Sequence, residues 1–302
     1  MASRESEVLA DLYRNWASRM AADPTMSIDE FRDMFEEWAS VTAEPADVSF
    51  EETTIDGVPA LWARPASASP HRLLICFHGG GYVTGSRNSH RKMFGHIAAA
   101  AGAPALIVEY RRAPESPFPA AVDDALKAYR FALKSGLAAD SIAFVGDSAG
   151  GGLSIASALA AKRDDIPLPG AIYLMSPWLD LDATGASYDT NAGLDLIVSR
   201  PVIAGLVPAY LGAGGNSRDP IANPILADPT GLPPILIQVG GYESFLDDSR
   251  KFAAAASQAG VDVDLDVVPE MQHVFQFLGG VAPEADAAIA RAGMWLKAKL
   301  SA

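Results

Sequence analysis

From Val48 onward the chain alternates short, continuously apolar runs with longer stretches of helical periodicity. RLLICF, PALIVEY, IAFVG, AIYLMS and PILIQVG are apolar at almost every position. A strand is apolar on both sides only where both faces are covered, so these runs predict the inner strands of a mostly parallel sheet. The segments between them are RKMFGHIAAAAG, AAVDDALKAYRFALKSG, GGLSIASALAAKR, SRKFAAAASQAG and PEADAAIARAGMWLKAKLS. They predict crossover helices on both faces, an α/β architecture. VSFEETTI and VPALWARP, joined by Asp56-Gly57, predict an opening hairpin, and VDLDVVPE a last strand, which makes eight strands in all.

Two regions break the alternation. Residues 1–45 carry no strand pattern, and ESEVLADLYRNWASRMAA and SIDEFRDMFEEWAS predict two amphipathic helices. Residues 180–226 form a long insertion between the runs AIYLMS and PILIQVG. It contains SRPVIAGLVPAYLG, with Ser199 as the expected N-cap and Pro201 near the helix start. An insertion of that length in a compact domain predicts a lid or binding element on a domain of residues 46–302.

Composition narrows the partners. The 302 residues are 49% hydrophobic, enough for a large core, and the formal net charge is −14. Such a charge repels phosphate backbones and anionic lipid, which argues against nucleic-acid binding and stable membrane association. Cys76 is the single cysteine and sits in LLICF, so it reads as a core residue and no intrachain disulfide forms. The first residues lack a signal-peptide core and no run reaches membrane-spanning length, so the expectation is a soluble, cytoplasmic protein.

The sharpest local signal is VGDSAGGG. Ser148 stands between Gly146-Asp147 and Ala149-Gly150, after the strand IAFVG and before a helix. G-x-S-x-G in that context is a nucleophile elbow, a strained turn that exposes a serine hydroxyl. A serine needs a base, and the base an orienting acid, in the chain order Ser, Asp or Glu, His. Of the five histidines only His273, in PEMQHVF, follows Ser148. Glu243, on the turn after PILIQV, is the candidate acid, with Asp247 its rival at the start of the next helix. His78-Gly79-Gly80-Gly81 follows LLICF, and its glycines leave backbone N–H groups uncovered. Together with the Ala149 N–H they predict an oxyanion hole. No G-K-[ST] follows, which argues against a phosphate loop. His78 reads as a loop-shaping residue, and His90 and His96, which flank a helix, as ordinary polar or helix-surface residues. No metal-ligand spacing occurs, so neither a metal nor another cofactor is expected.

HGGGY, YRRAPESPFPAAVDD, GDSAGGG, SPWLDL and NSRDPIANPILAD occur in that order. Together they resemble the hormone-sensitive-lipase-like carboxylesterases, the bacterial family IV branch of the α/β-hydrolases. The resemblance runs from about residue 43 to the end. It implies an α/β-hydrolase fold, Ser148 as nucleophile, His273 as base, and Gly80, Gly81 and Ala149 as oxyanion donors. It also implies a cap built from the N-terminal helices and the 180–226 insertion over an acyl and alcohol pocket. Family members are often homodimers. The chain departs from the family at the acid, where Glu243-Ser244-Phe245 stands in place of the usual Asp-Pro-Leu. FEEWASVTAEP and HRKMFGHIA are most similar to members labelled monoterpene ε-lactone hydrolases.

The expected partner is therefore a small-molecule ester, taken in two acyl-transfer steps. Trp16, Met20, Phe31, Phe35, Trp38, Leu206 and Tyr210 predict an apolar roof for a short to medium acyl chain. A lactonase or amidase would use the same triad, and a small-molecule receptor on this scaffold is the remaining alternative.

Overall fold

A computed structural model describes residues 2–301. Its strands are β1 (Val48–Ile55), β2 (Val58–Pro65), β3 (Leu73–Phe77), β4 (Ala105–Val108), β5 (Ile142–Asp147), β6 (Ala171–Met175), β7 (Ile235–Gly240) and β8 (Val263–Val268). They form one sheet in the order β1-β2-β4-β3-β5-β6-β7-β8. β1 and β2, then β2 and β4, pair antiparallel, and every later pair is parallel. Asp56 and Gly57 both take positive φ, 47° and 81°, the geometry that a two-residue hairpin turn of matching twist requires.

The helices are α1 (Glu7–Ala22), α2 (Ile28–Glu36), α3 (Trp38–Val41), α4 (Arg87–Ala101), α5 (Ala120–Lys134), α6 (Ala149–Arg163), α7 (Ser187–Thr190), α8 (Arg200–Leu211), α9 (Leu246–Gln258) and α10 (Pro283–Lys299). Alternate residues of each inner strand feed opposite sides of the sheet. Ile75 and Phe77 of β3 pack with α5, α6 and α9, whereas Leu74 and Cys76 pack with α4, α10 and the N-terminal helices. Cys76 is wholly buried, as a small core residue should be. Strands β3 to β7 have no exposed residue, which is why they read as unbroken apolar runs. β8 lies at the edge of the sheet and is only partly covered, hence its alternating aspartates.

Two local expectations change. SIDEFRDMFEEWAS is not one helix: α2 ends at Glu36 and α3 begins at Trp38. The break at Glu37 lets that carboxylate accept from Trp16 Nε1 at 2.9 Å and pair with Arg19 at 2.7 Å, joining α1 to the turn. Ser199 does stand at the start of α8, but its side chain makes no capping hydrogen bond. α2, by contrast, is capped through a reciprocal Ser27–Glu30 box.

Candidate active site

β5 ends in Asp147 and α6 begins at Ala149, so Ser148 alone makes the turn. Its φ of 52° and ψ of −120° are a conformation that a residue with a side chain rarely adopts. The turn is held because Ser148 N–H donates to Met175 O at 2.9 Å, and Ser148 O accepts from Trp178 N–H at 2.9 Å. The flanking glycines have a steric cause. An ideal Cβ on Gly146 would lie 2.1 Å from Gly150 O, and one on Gly150 would lie 1.9 Å from Phe77 O. The turn thus presses against β3, where the HGGG segment begins.

In that segment Gly80 and Gly81 take φ of 108° and 61°. Gly80 O accepts from the backbone of Val83 and Thr84 and from Thr84 Oγ1, which folds the loop back on itself. Among the described residues the N–H groups of Gly80, Gly81 and Ala149 have no acceptor. Gly79 N–H is taken: it points to Asp147 Oδ1 at 3.1 Å and His90 Nε2 at 3.2 Å. His78 shapes the loop from within, its ring stacked on Tyr110 at 4.1 Å and Nδ1 2.9 Å from Gly79 O. Burial, with the neighbouring His90 and Arg112, pushes its imidazole well below the ordinary value.

His90 does not lie on the helix surface. It is wholly buried, not a surface residue, with Nδ1 2.9 Å from Ser89 Oγ and Nε2 3.2 Å from Asp147 Oδ2. Ser86 and Ser89 cap α4 one turn earlier than the apolar pattern begins, and this turns His90 toward the sheet. His96 is half-buried, with Nε2 3.0 Å from Ala43 O.

Glu243 follows β7 and His273 follows β8, and because these strands run parallel the two residues meet at the same edge of the sheet. His273 Nδ1 lies 2.8 Å from Glu243 Oε2. The other Glu243 oxygen accepts from Ser176 Oγ at 2.7 Å and from Gly240 N–H. Burial raises the Glu243 carboxyl, and these three donors oppose that rise without cancelling it. For His273, burial alone would lower the imidazole. The hydrogen bond and charge of Glu243, with the charges of Asp195 and Asp147 beyond, outweigh it and leave the ring above its ordinary value. Asp247 is elsewhere: it accepts from Ser187 N–H at 2.9 Å and neighbours Arg250.

Ser148 and His273 line one cavity, together with Gly80, Gly81 and Thr84. Among the described residues no hydrogen bond joins the Ser148 hydroxyl to His273, a contact that unliganded sites often leave open. The rest of the wall is apolar. Met20, Phe31, Phe35 and Trp38 come from α1–α3, and Ile197, Val198, Val202, Ile203 and Leu206 from the 180–226 insertion. Trp16 and Tyr210 do not reach it. Trp16 stacks behind Phe35 at 4.6 Å, and Tyr210 lies on Tyr82 at 3.9 Å. Sequence reasoning missed Ser176, although SPWLDL was among the quoted motifs. Its Oγ also accepts from Val274 N–H at 3.0 Å, so it ties the acid to the histidine loop.

The profile of the alpha/beta hydrolase fold family matches residues 74–277. The chain is 40% identical over 300 residues to an acetyl-hydrolase of Streptomyces hygroscopicus, spanning 98% of this chain and 97% of that one. Over 225 residues, 74% of each chain, it is 36% identical to an esterase of Acinetobacter venetianus. Among solved structures it is similar to an esterase from the bacterial hormone-sensitive lipase family, with a TM-score of 0.94, 41% identity and full coverage of both chains. It is also similar to EstE5 soaked with p-nitrophenyl butyrate, with a TM-score of 0.90, 36% identity and 99% coverage of each. Among the described residues no helix is long and apolar enough to cross a membrane.

Proposed function

The chain belongs to the hormone-sensitive-lipase-like carboxylesterases of the α/β-hydrolase fold, and from that membership we propose that it cleaves small carboxylic esters by a serine mechanism. In this reading Ser148 is the nucleophile, His273 the base and Glu243 the group that orients it. The supporting observation is the 2.8 Å hydrogen bond from His273 to Glu243 at the wall of a cavity that also exposes Ser148.

His273 takes the Ser148 proton through Nε2 as the oxygen attacks the ester carbonyl. Nδ1–H stays on Glu243, whose negative charge steadies the imidazolium that forms. The tetrahedral oxyanion is received by the free N–H groups of Gly80, Gly81 and Ala149. The imidazolium then gives its proton to the departing alcohol. Water repeats the attack on the acyl-enzyme, with His273 again as base, and releases the acid.

The helices α1–α3 and the 180–226 insertion act as a cap that gives the acyl chain an apolar wall. The apolar lining around Ser148 suits a short or medium acyl chain, in keeping with a relative named acetyl-hydrolase. The test is turnover of p-nitrophenyl esters from acetate to palmitate. The proposal expects a maximum at short chains and none with Ser148→Ala. Turnover that survives Ser148→Ala refutes it.

A further inference from the structure

The peptide unit between His273 and Val274 is pinned at both of its polar atoms. His273 C=O accepts from the Tyr13 hydroxyl of α1 at 2.9 Å. Val274 N–H donates to Ser176 Oγ at 3.0 Å, and Ser176 in turn holds Glu243. The Tyr13 oxygen is itself fixed, because Trp38 Nε1 donates to it at 3.2 Å. The chain Trp38 N–H to Tyr13 O–H to His273 C=O is wholly buried, so each of its groups depends on the others for a partner.

These pins oppose a strain. Val274 has φ of 51°, a left-handed conformation that a β-branched residue strongly disfavours. Relief of that strain would move the 273–274 peptide off its partners and free the His273 Cα at its end, which carries the imidazole. Ser176 restrains the N–H end of that peptide from inside the sheet, and Tyr13 restrains the C=O end from the N-terminal helix.

We propose that Tyr13 is a positioning residue for the base: its hydroxyl fixes the peptide that aims the His273 imidazole at Ser148. The proposal rests on reading His273 as the base. It makes α1 part of the catalytic arrangement, as well as part of the packing over the sheet.

The test is Tyr13→Phe, which keeps the ring and removes the hydroxyl. Kinetics are taken with p-nitrophenyl acetate, butyrate and hexanoate, well below the variant's melting temperature. The expected result is a kcat lower by about ten-fold for all three esters at unchanged KM, the rate equivalent of one net hydrogen bond. An unchanged kcat overturns the proposal. So does a loss that grows with acyl length through KM, which would mark Tyr13 as packing behind the pocket wall. If Tyr13→Phe does not fold, Trp38→Phe removes the N–H that orients the hydroxyl; because Trp38 also lines the cavity, only kcat for the acetate ester is read, a lower value supporting the link and an unchanged one overturning it. His273→Ala is run in parallel. Turnover retained there overturns the base assignment and this inference together, whereas an inactive His273→Ala beside an unaffected Tyr13→Phe overturns only the role of Tyr13.

Discussion

His90 Nε2 lies 3.2 Å from Asp147 Oδ2, and both side chains are wholly buried. The other Asp147 oxygen accepts from Gly79 N–H at 3.1 Å, so the residue before Ser148 is tied to the loop proposed to offer the oxyanion donors. The elbow and the HGGG segment therefore hold a fixed relative position through one side chain.

Asp147→Asn tests that tie. The amide keeps the volume but removes the charge and turns one acceptor into a donor, so the shared contacts with Gly79 and His90 must rearrange. A displaced loop misplaces Gly80 and Gly81. The expected loss in kcat is about ten- to a hundred-fold, with KM for a small ester little changed. Steady-state kinetics on a folded variant decides.

Glu243→Gln and Asp247→Asn separate the two acids. Glu243 holds His273 and Asp247 holds Ser187. Losing the orienting charge is expected to lower kcat on the order of 10³- to 10⁴-fold. Asp247→Asn keeps an acceptor for Ser187 and loses only an exposed pairing with Arg250, so kcat is expected to stay within about two-fold. The reverse order would move the acid to Asp247.

The pH profile follows from His273. The base must be neutral to accept the serine proton, so kcat/KM falls as pH drops through the imidazole pKa and is regained above it. Glu243, Asp195 and Asp147 outweigh the lowering by burial, so the midpoint is expected above the ordinary 6.5. Glu243→Gln removes the strongest raising partner and should shift the residual midpoint down. A profile flat from pH 5 to 8 would count against His273.

Gly80→Ala tests the oxyanion loop. Gly80 has φ of 108°, and a Cβ there would lie 2.3 Å from Thr84 O, a backbone atom that has no room to yield. The loop must shift, and the predicted loss in kcat is about a hundred-fold or more. Normal turnover by a folded Gly80→Ala would remove this loop from the chemistry.

The sequence shows the sheet because five inner strands are buried on both faces and leave no polar position to confuse the pattern. Ser148 and His273 are legible from the glycines around the elbow and from chain order. Glu243 is legible from its place after β7, although the residues following it depart from the family. His90 and Tyr13 are not legible. Each lies on a helix whose periodicity shows only that one face is apolar, and neither pattern says which polar atom waits in the core. Ser176 is hidden for a related reason: its partners Glu243 and Val274 lie 67 and 98 residues away. Trp16 and Tyr210 read as cavity wall because composition cannot separate a residue that lines a pocket from one that backs the lining.

The most direct test of the central claim is covalent labelling with a fluorophosphonate, followed by intact mass and peptide mapping. Ser148 attacking phosphorus with His273 as base predicts one adduct per chain on the peptide containing Ser148, and strongly slowed labelling in His273→Ala. An adduct on another residue, or equal labelling of His273→Ala, would contradict the serine–histidine account.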